Sequence, residues 1–316
     1  MKYPSLVTGL LLQLTVTAII VASASSALAQ RANGFDLSNA TIPTSEIRSG
    51  GPGKDGIRSI DRPKFVKPSQ AKFLRDDDLV VSVTVGNTTR AYPLRILVWH
   101  EIVNDTISGQ PVAVTYCPLC GTAMVFDPMI GGRRLTFGVS GLLYQSDVLM
   151  YDRQTQSLWS QLAMKAVAGK LVDTPLPWLA SEHLTWAAWQ ERYPGGQVLS
   201  EATGEGRDYS RQAYPGYERQ EKTMFPVPQY RSELRNKEWV AGIIVNGQAA
   251  AYPLAGLARS GEAEQEVGGV TVRVLFDPES KAVSVVNTLS GEPVPFVKVY
   301  WFAWQAFYPD TALWKP

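Results

Sequence analysis

The chain has 316 residues, 45% of them hydrophobic, with 30 Lys and Arg against 29 Asp and Glu and a formal charge of +1. That near-balance removes the electrostatic basis for holding nucleic acid or an anionic membrane surface, so neither is expected as a partner. Two cysteines are too few for a disulfide scaffold, and a chain of this length and apolar content buries its own core without staples.

Residues 1–29 read as a secretory signal: Lys2 is the only charge, an apolar run follows, and Ala27-Leu28-Ala29 supplies a small-x-small cleavage pattern before Gln30. The expectation is an exported protein, periplasmic or extracellular, with no stable membrane span after cleavage. Residues 30–72 are rich in Gly, Pro and Ser and read as an extended N-terminal arm. LVVSVTV at 79–85 predicts a strand, which turns at Gly86-Asn87 and resumes through Arg90, Ala91 and Tyr92 as a hairpin. Pro93 suits the first turn of a helix over 94–103, where Leu94, Leu97, Val98 and Ile102 share one stripe. Two further strand-like runs, 112–116 and 122–126, flank the turn CPLCG, which holds both cysteines, Cys117 and Cys120.

The plan recurs. VGNTTRAYPL at 85–94 matches VNGQAAAYPL at 245–254, VTYCPLCGTAMVF at 114–126 falls without a gap on VLFDPESKAVSVV at 274–286, and WAAWQERYP at 186–194 matches WFAWQAFYP at 301–309. Part of the segment between Phe126 and Trp186 has no counterpart in the second copy. The expected fold is α+β: mostly antiparallel β hairpins with short helices, in two related halves sharing one core, the second copy degenerate. The first half spans 73–200, a connecting loop 201–238, and the second half 239–316. Trp186 and Trp189, like Trp301 and Trp304, lie three residues apart on one helical stripe and are assigned to the core.

Between the copies His100 falls on Ser260, Cys117 on Asp277, Cys120 on Ser280 and Gly121 on Lys281, so the second copy keeps the fold signals and lacks the chemistry. Three readings of CPLCG stay open. As a metal site it is similar to the knuckle of rubredoxins and zinc ribbons, with glycine after the second thiol where the backbone needs positive φ. The candidate ligands are His100, Cys117, Cys120 and Met124, and the candidate ions copper or zinc. As a redox site, Cys117 and Cys120 form a dithiol that His100 activates, although a strand rather than a helix follows. As a disulfide it closes a short loop and adds little stability.

The extra segment carries Ser140, Tyr144, Gln145, Ser146, Asp147, Tyr151, Asp152, Arg153, Trp159, Ser160 and Gln161. Of these, Ser140, Tyr144 and Gln161 are assigned to a small-molecule pocket, and Asp152 and Arg153 to an exposed turn, DRQTQ. His183 is placed at the start of the Trp186 helix, with Ser181 or Glu182 as its cap. The partner is a small molecule or a protein that donates or accepts metal.

AYPLRILVWHEIVND, VTYCPLCGTAMVFD, FGVSGLLYQSDVLMYDRQTQSLWSQ, TGEGRDYSRQAYPGY and WFAWQAFYPDTALW together resemble the bacterial and archaeal family designated domain of unknown function 3179, over about Leu79 to Trp314. The resemblance implies exported or envelope-associated proteins and assigns no catalytic role to any residue. Gln145 departs from it, standing where Asn is more usual.

Overall fold

The computed structural model describes residues 31–316; the signal segment expected at 1–29 lies outside the described residues. Antiparallel sheets dominate, and among the described residues four α-helices of seven residues each punctuate them: Leu94–His100, Trp186–Arg192, Leu254–Ser260 and Trp301–Phe307. None of the described helices is long and apolar enough to cross a membrane.

One sheet runs in the order Glu182–Thr185, Leu79–Val85, Thr88–Pro93, Gln197–Leu199, Phe65–Val66, with Gln197–Leu199 parallel to Thr88–Pro93. Another runs Phe296–Tyr300, Trp239–Val245, Gln248–Pro253, Ala312–Leu313, and its last pair is again parallel. Registers correspond as well: Val80 pairs with Pro93 and Val240 with Pro253, while Leu79 pairs with Thr185 and Trp239 with Tyr300. A hairpin sheet follows the first helix of each half, Ile102–Ile107, Gln110–Cys117, Thr122–Phe126 in one and Glu262–Val267, Val270–Phe276, Val283–Asn287 in the other.

The helix expected over 94–103 stops at His100. Glu101 takes a left-handed conformation, φ 59°, and turns the chain into the strand Ile102–Ile107, whose β-branched Ile102 and Val103 are fully buried by pairing with Gln110–Cys117. Pro93 caps this helix from the end of the preceding strand instead of lying within its first turn.

The segment without a counterpart forms most of a sheet of its own, ordered Lys165–Ala168, Leu158–Ser160, Asp147–Asp152, Phe137–Tyr144, Ile47–Ser49. Its edge strand comes from the N-terminal arm, which thus contributes to a sheet as well as crossing the surface. This sheet packs its apolar face, including Phe137, Met150 and Trp159, into the main core cluster. That cluster also holds Cys117, Cys120 and Met124 of the first half and Val240, Val297, Trp301, Phe302 and Trp304 of the second.

The Trp pairs are core, as expected. Trp186 and Trp189 stack at 5.3 Å, and Trp301 and Trp304 are buried. The Trp186 helix is capped by Thr185, whose Oγ1 accepts from the Ala188 N–H at 3.4 Å, and not by Ser181 or Glu182. A crossed pair of backbone bonds ties the halves together. The Tyr300 N–H, which begins the Trp301 helix, donates to the Cys120 carbonyl at 2.9 Å; the Thr185 N–H, which begins the Trp186 helix, donates to the Ser280 carbonyl at 2.8 Å.

Candidate metal centre

Cys117 ends its strand opposite Thr122, and the turn between them requires glycine at 121 twice over. Gly121 has φ +67°, and a Cβ there would lie 2.4 Å from the Trp239 ring. The tight turn leaves both sulfurs buried on the same side, 3.8 Å (Cys117) and 3.3 Å (Cys120) from the Ser146 carbonyl oxygen, to which the thiols donate.

The opposite wall is the turn joining Phe137–Tyr144 to Asp147–Asp152. Its two residues, Gln145 and Ser146, both have positive φ, 48° and 69°. Such two-residue hairpin turns favour Asn-Gly, and a side chain in this region carries a steric cost. Here that strained turn aims the Ser146 carbonyl at the thiols and sets Asp147 beside them. The Ser146 hydroxyl donates to the Phe225 carbonyl at 3.0 Å, fastening the 201–238 segment over the turn. The Cys117 sulfur, the Cys120 sulfur and an Asp147 carboxylate oxygen all lie within 4.8 Å of one another, and all three residues are buried. Asp147 Oδ2 accepts from the Leu162 N–H at 3.0 Å, while its Oδ1 has no partner.

Electrostatically this is an acid-only pocket. Burial pushes the Asp147 carboxyl up to about 7, against the opposing pull of the Leu162 and Val148 N–H groups and both thiols. Glu101 is pushed up to about 8, first by burial and then by the charge of Asp147. Burial also raises both thiols, Cys120 well above its ordinary range, so neither has thiolate character without a cation nearby. No cationic side chain figures among the groups that act on these four residues. Such a pocket holds protons, or it holds a metal ion in their place.

His100 is not one of the three converging groups. Its Nδ1 is 2.7 Å from the Arg58 carbonyl and its Nε2 2.6 Å from the Tyr209 hydroxyl, so both ring nitrogens are engaged. Tyr209 is held in turn by Thr203 at 2.6 Å, which makes His100 a clamp for the connecting segment. Met124 lies in the same apolar cluster as the thiols, and its carbonyl accepts from Thr115 Oγ1 at 2.9 Å.

The three residues assigned to a pocket do separate work. Ser140 sits in a β-bulge, where its hydroxyl donates to the Leu149 carbonyl and accepts from the Leu142 N–H at 3.0 Å. Tyr144 packs edge-on against Phe307 at 5.6 Å and accepts from Gln145 Nε2. Gln161 donates to Thr115 Oγ1 at 2.7 Å beneath the CPLCG hairpin, with its Oε1 unpartnered. Asp152 overturns the expectation of an exposed turn: it is fully buried and gathers the Trp159 indole N–H at 2.9 Å, the Thr155 hydroxyl at 2.7 Å and the Ser157 N–H at 3.2 Å.

Sequence reasoning passed over Glu101, and it named Asp147 among the polar groups of the extra segment without assigning it to the thiols. A charged residue opening the otherwise apolar strand run DVLMY was the available signal for Asp147. Glu101 ends the Leu94–His100 helix where Gly261, φ +84°, ends the corresponding Leu254–Ser260 helix. The sequence model of the family described as "Protein of unknown function (DUF3179)" matches residues 54–292. No curated protein and no solved structure matches the chain.

Proposed function

The chain belongs to the DUF3179 family, whose description carries no activity, and from the buried pocket we propose that this member binds one divalent transition-metal ion through Cys117, Cys120 and Asp147. The single observation that carries the reading is the convergence of two thiols and a carboxyl, all buried, with Asp147 Oδ1 unpartnered among the described residues. Two thiolates and a carboxylate suit Zn(II), and the carboxylate in place of a thioether or imidazole weighs against Cu(I). Three protein ligands leave a fourth position for water, a small molecule or a ligand from a metal-donating protein. We take the protein as exported, on the signal-like residues 1–29. We take its halves as an internal repeat whose second copy is degenerate, a reading supported by the corresponding strand orders and registers.

Elemental analysis of protein purified without chelator tests this. About one zinc ion per chain is expected for the wild type, none for Cys117→Ser, Cys120→Ser or Asp147→Ala, and an unchanged content for His100→Ala. A metal-free wild type with a Cys117–Cys120 disulfide would sink the reading in favour of dithiol chemistry.

A further inference from the structure

Beyond the thiol pocket, two basic side chains lie largely buried with no acid beside them at the junction of the halves. Lys298, on Phe296–Tyr300 opposite Ala241, is 6% exposed, and its Nζ has no hydrogen-bond or ion-pair partner among the described residues. Its notable neighbour is the Trp239 ring, 5.1 Å away. His183, on Glu182–Thr185 opposite Val81, is 7% exposed, and its Nε2 is unpartnered. Both face a void of about 10 Å³ that Gly121 and Trp239 also line. Lys298 and Trp239 form part of the wall of a much larger cleft, about 1060 Å³, that opens between the halves.

An unpaired ammonium in such a position is costly, and a ligand anion would relieve the cost. Burial, with Lys281 nearby, brings Lys298 down to about 8, and burial takes His183 down to about 3, leaving the imidazole neutral as a hydrogen-bonding group. The rest of the cleft has the opposite character. Asp76, Asp77, Glu191 and Glu279 line it and outnumber its remaining cations: Lys281 is exposed, Arg235 is paired with Glu238 at 3.9 Å, and Lys237 is engaged by three backbone carbonyls at 2.7–2.9 Å. A multiply charged anion is repelled by these acids; a molecule with one carboxylate and one ammonium satisfies both regions.

We propose that the cleft binds a small zwitterion, its carboxylate on Lys298 Nζ and its ammonium among the acids that line the outer cleft. The proposal is independent of the metal reading, because no thiol takes part. Calorimetric titration with γ-aminobutyrate, butyrate, butylammonium and inorganic phosphate tests it. Saturable binding of γ-aminobutyrate is expected, with butyrate about tenfold weaker and butylammonium and phosphate weaker still. Lys298→Met should weaken γ-aminobutyrate about tenfold or more while circular dichroism stays unchanged, and Cys117→Ser/Cys120→Ser should bind it as the wild type does. Asp76→Asn/Asp77→Asn provides a second, surface-only variant, expected to weaken γ-aminobutyrate but not butyrate. The absence of saturable γ-aminobutyrate binding, undiminished binding by Lys298→Met, or butyrate or phosphate binding as tightly as γ-aminobutyrate would each overturn the proposal.

Discussion

CPLCG and DPESK each join the second and third strands of an antiparallel hairpin run, and they end in opposite circumstances. In the second half Asp277 is exposed and closes the turn on itself, accepting from the Glu279 N–H at 2.9 Å and from the Ser280 hydroxyl, which holds its carboxyl below the ordinary range. In the first half the inserted sheet and the 201–238 segment cover the turn, and the covering face brings an acid rather than a base. The hairpin tolerates either sequence. What distinguishes one of them is the lid of structure that removes water while leaving Asp147 Oδ1 without a partner among the described residues.

The comparison breaks hardest at the glycine. Gly121→Ala adds a Cβ that meets Trp239 at a backbone angle unfavourable to any side chain, so urea unfolding should record a loss of about 3 kcal/mol or more. Lys281→Ala at the exposed counterpart should stay within about 0.5 kcal/mol. Equal losses at the two positions would mean that the turns are not differently packed.

A second contrast lies in pH. Asp147 and Glu101 are raised in the folded protein from 3.8 to about 7 and from 4.5 to about 8, so the folded chain keeps protons that the unfolded chain has released. Their contribution is fully present below about pH 4, and the stability of the metal-free protein should fall by several kcal/mol as pH rises from about 4 through about 8. Thermal melts across that window should show the slope, and Asp147→Asn/Glu101→Gln should flatten it. The smallest effect is expected at Glu101 alone. Replacing it with the glycine that the second half uses relieves a left-handed side chain and a buried acid together, so Glu101→Gly should gain about 1 kcal/mol in metal-free protein. A loss instead would show that Glu101 is held by favourable contacts.

Much of this architecture is local and was therefore legible. The hairpins follow from runs such as LVVSVTV broken by Gly-Asn, the Trp stripes from their spacing, and the demand for glycine after Cys120 from the tightness of the turn. Two of the errors come from partners distant in sequence, and two from turns whose local conformation departs from what their residues suggest. Ile102 continues the apolar stripe of the helix, and only its long-range burial reveals that the chain has already become strand. His100 looked available because its engagement by Tyr209 comes from the connecting segment. Asp147 was indistinguishable from neighbouring polar residues because its placement depends on a Gln-Ser pair adopting the conformation usual for Asn-Gly. Asp152 was misread for the opposite reason: a turn-forming sequence can fold its acid inward when Thr155, Ser157 and Trp159 supply donors.

The crossed bonds from Tyr300 to Cys120 and from Thr185 to Ser280 carry a consequence for assembly of the chain. Each half's tryptophan helix starts on an N–H group whose acceptor belongs to the other half, so neither half is a severable module. The thiol turn is anchored through its Cys120 carbonyl by Phe296–Tyr300, about 180 residues further along the chain. The thiol turn is therefore fastened by the same strand that helps close the core, and anything lodged between the thiols is held by both ends of the chain.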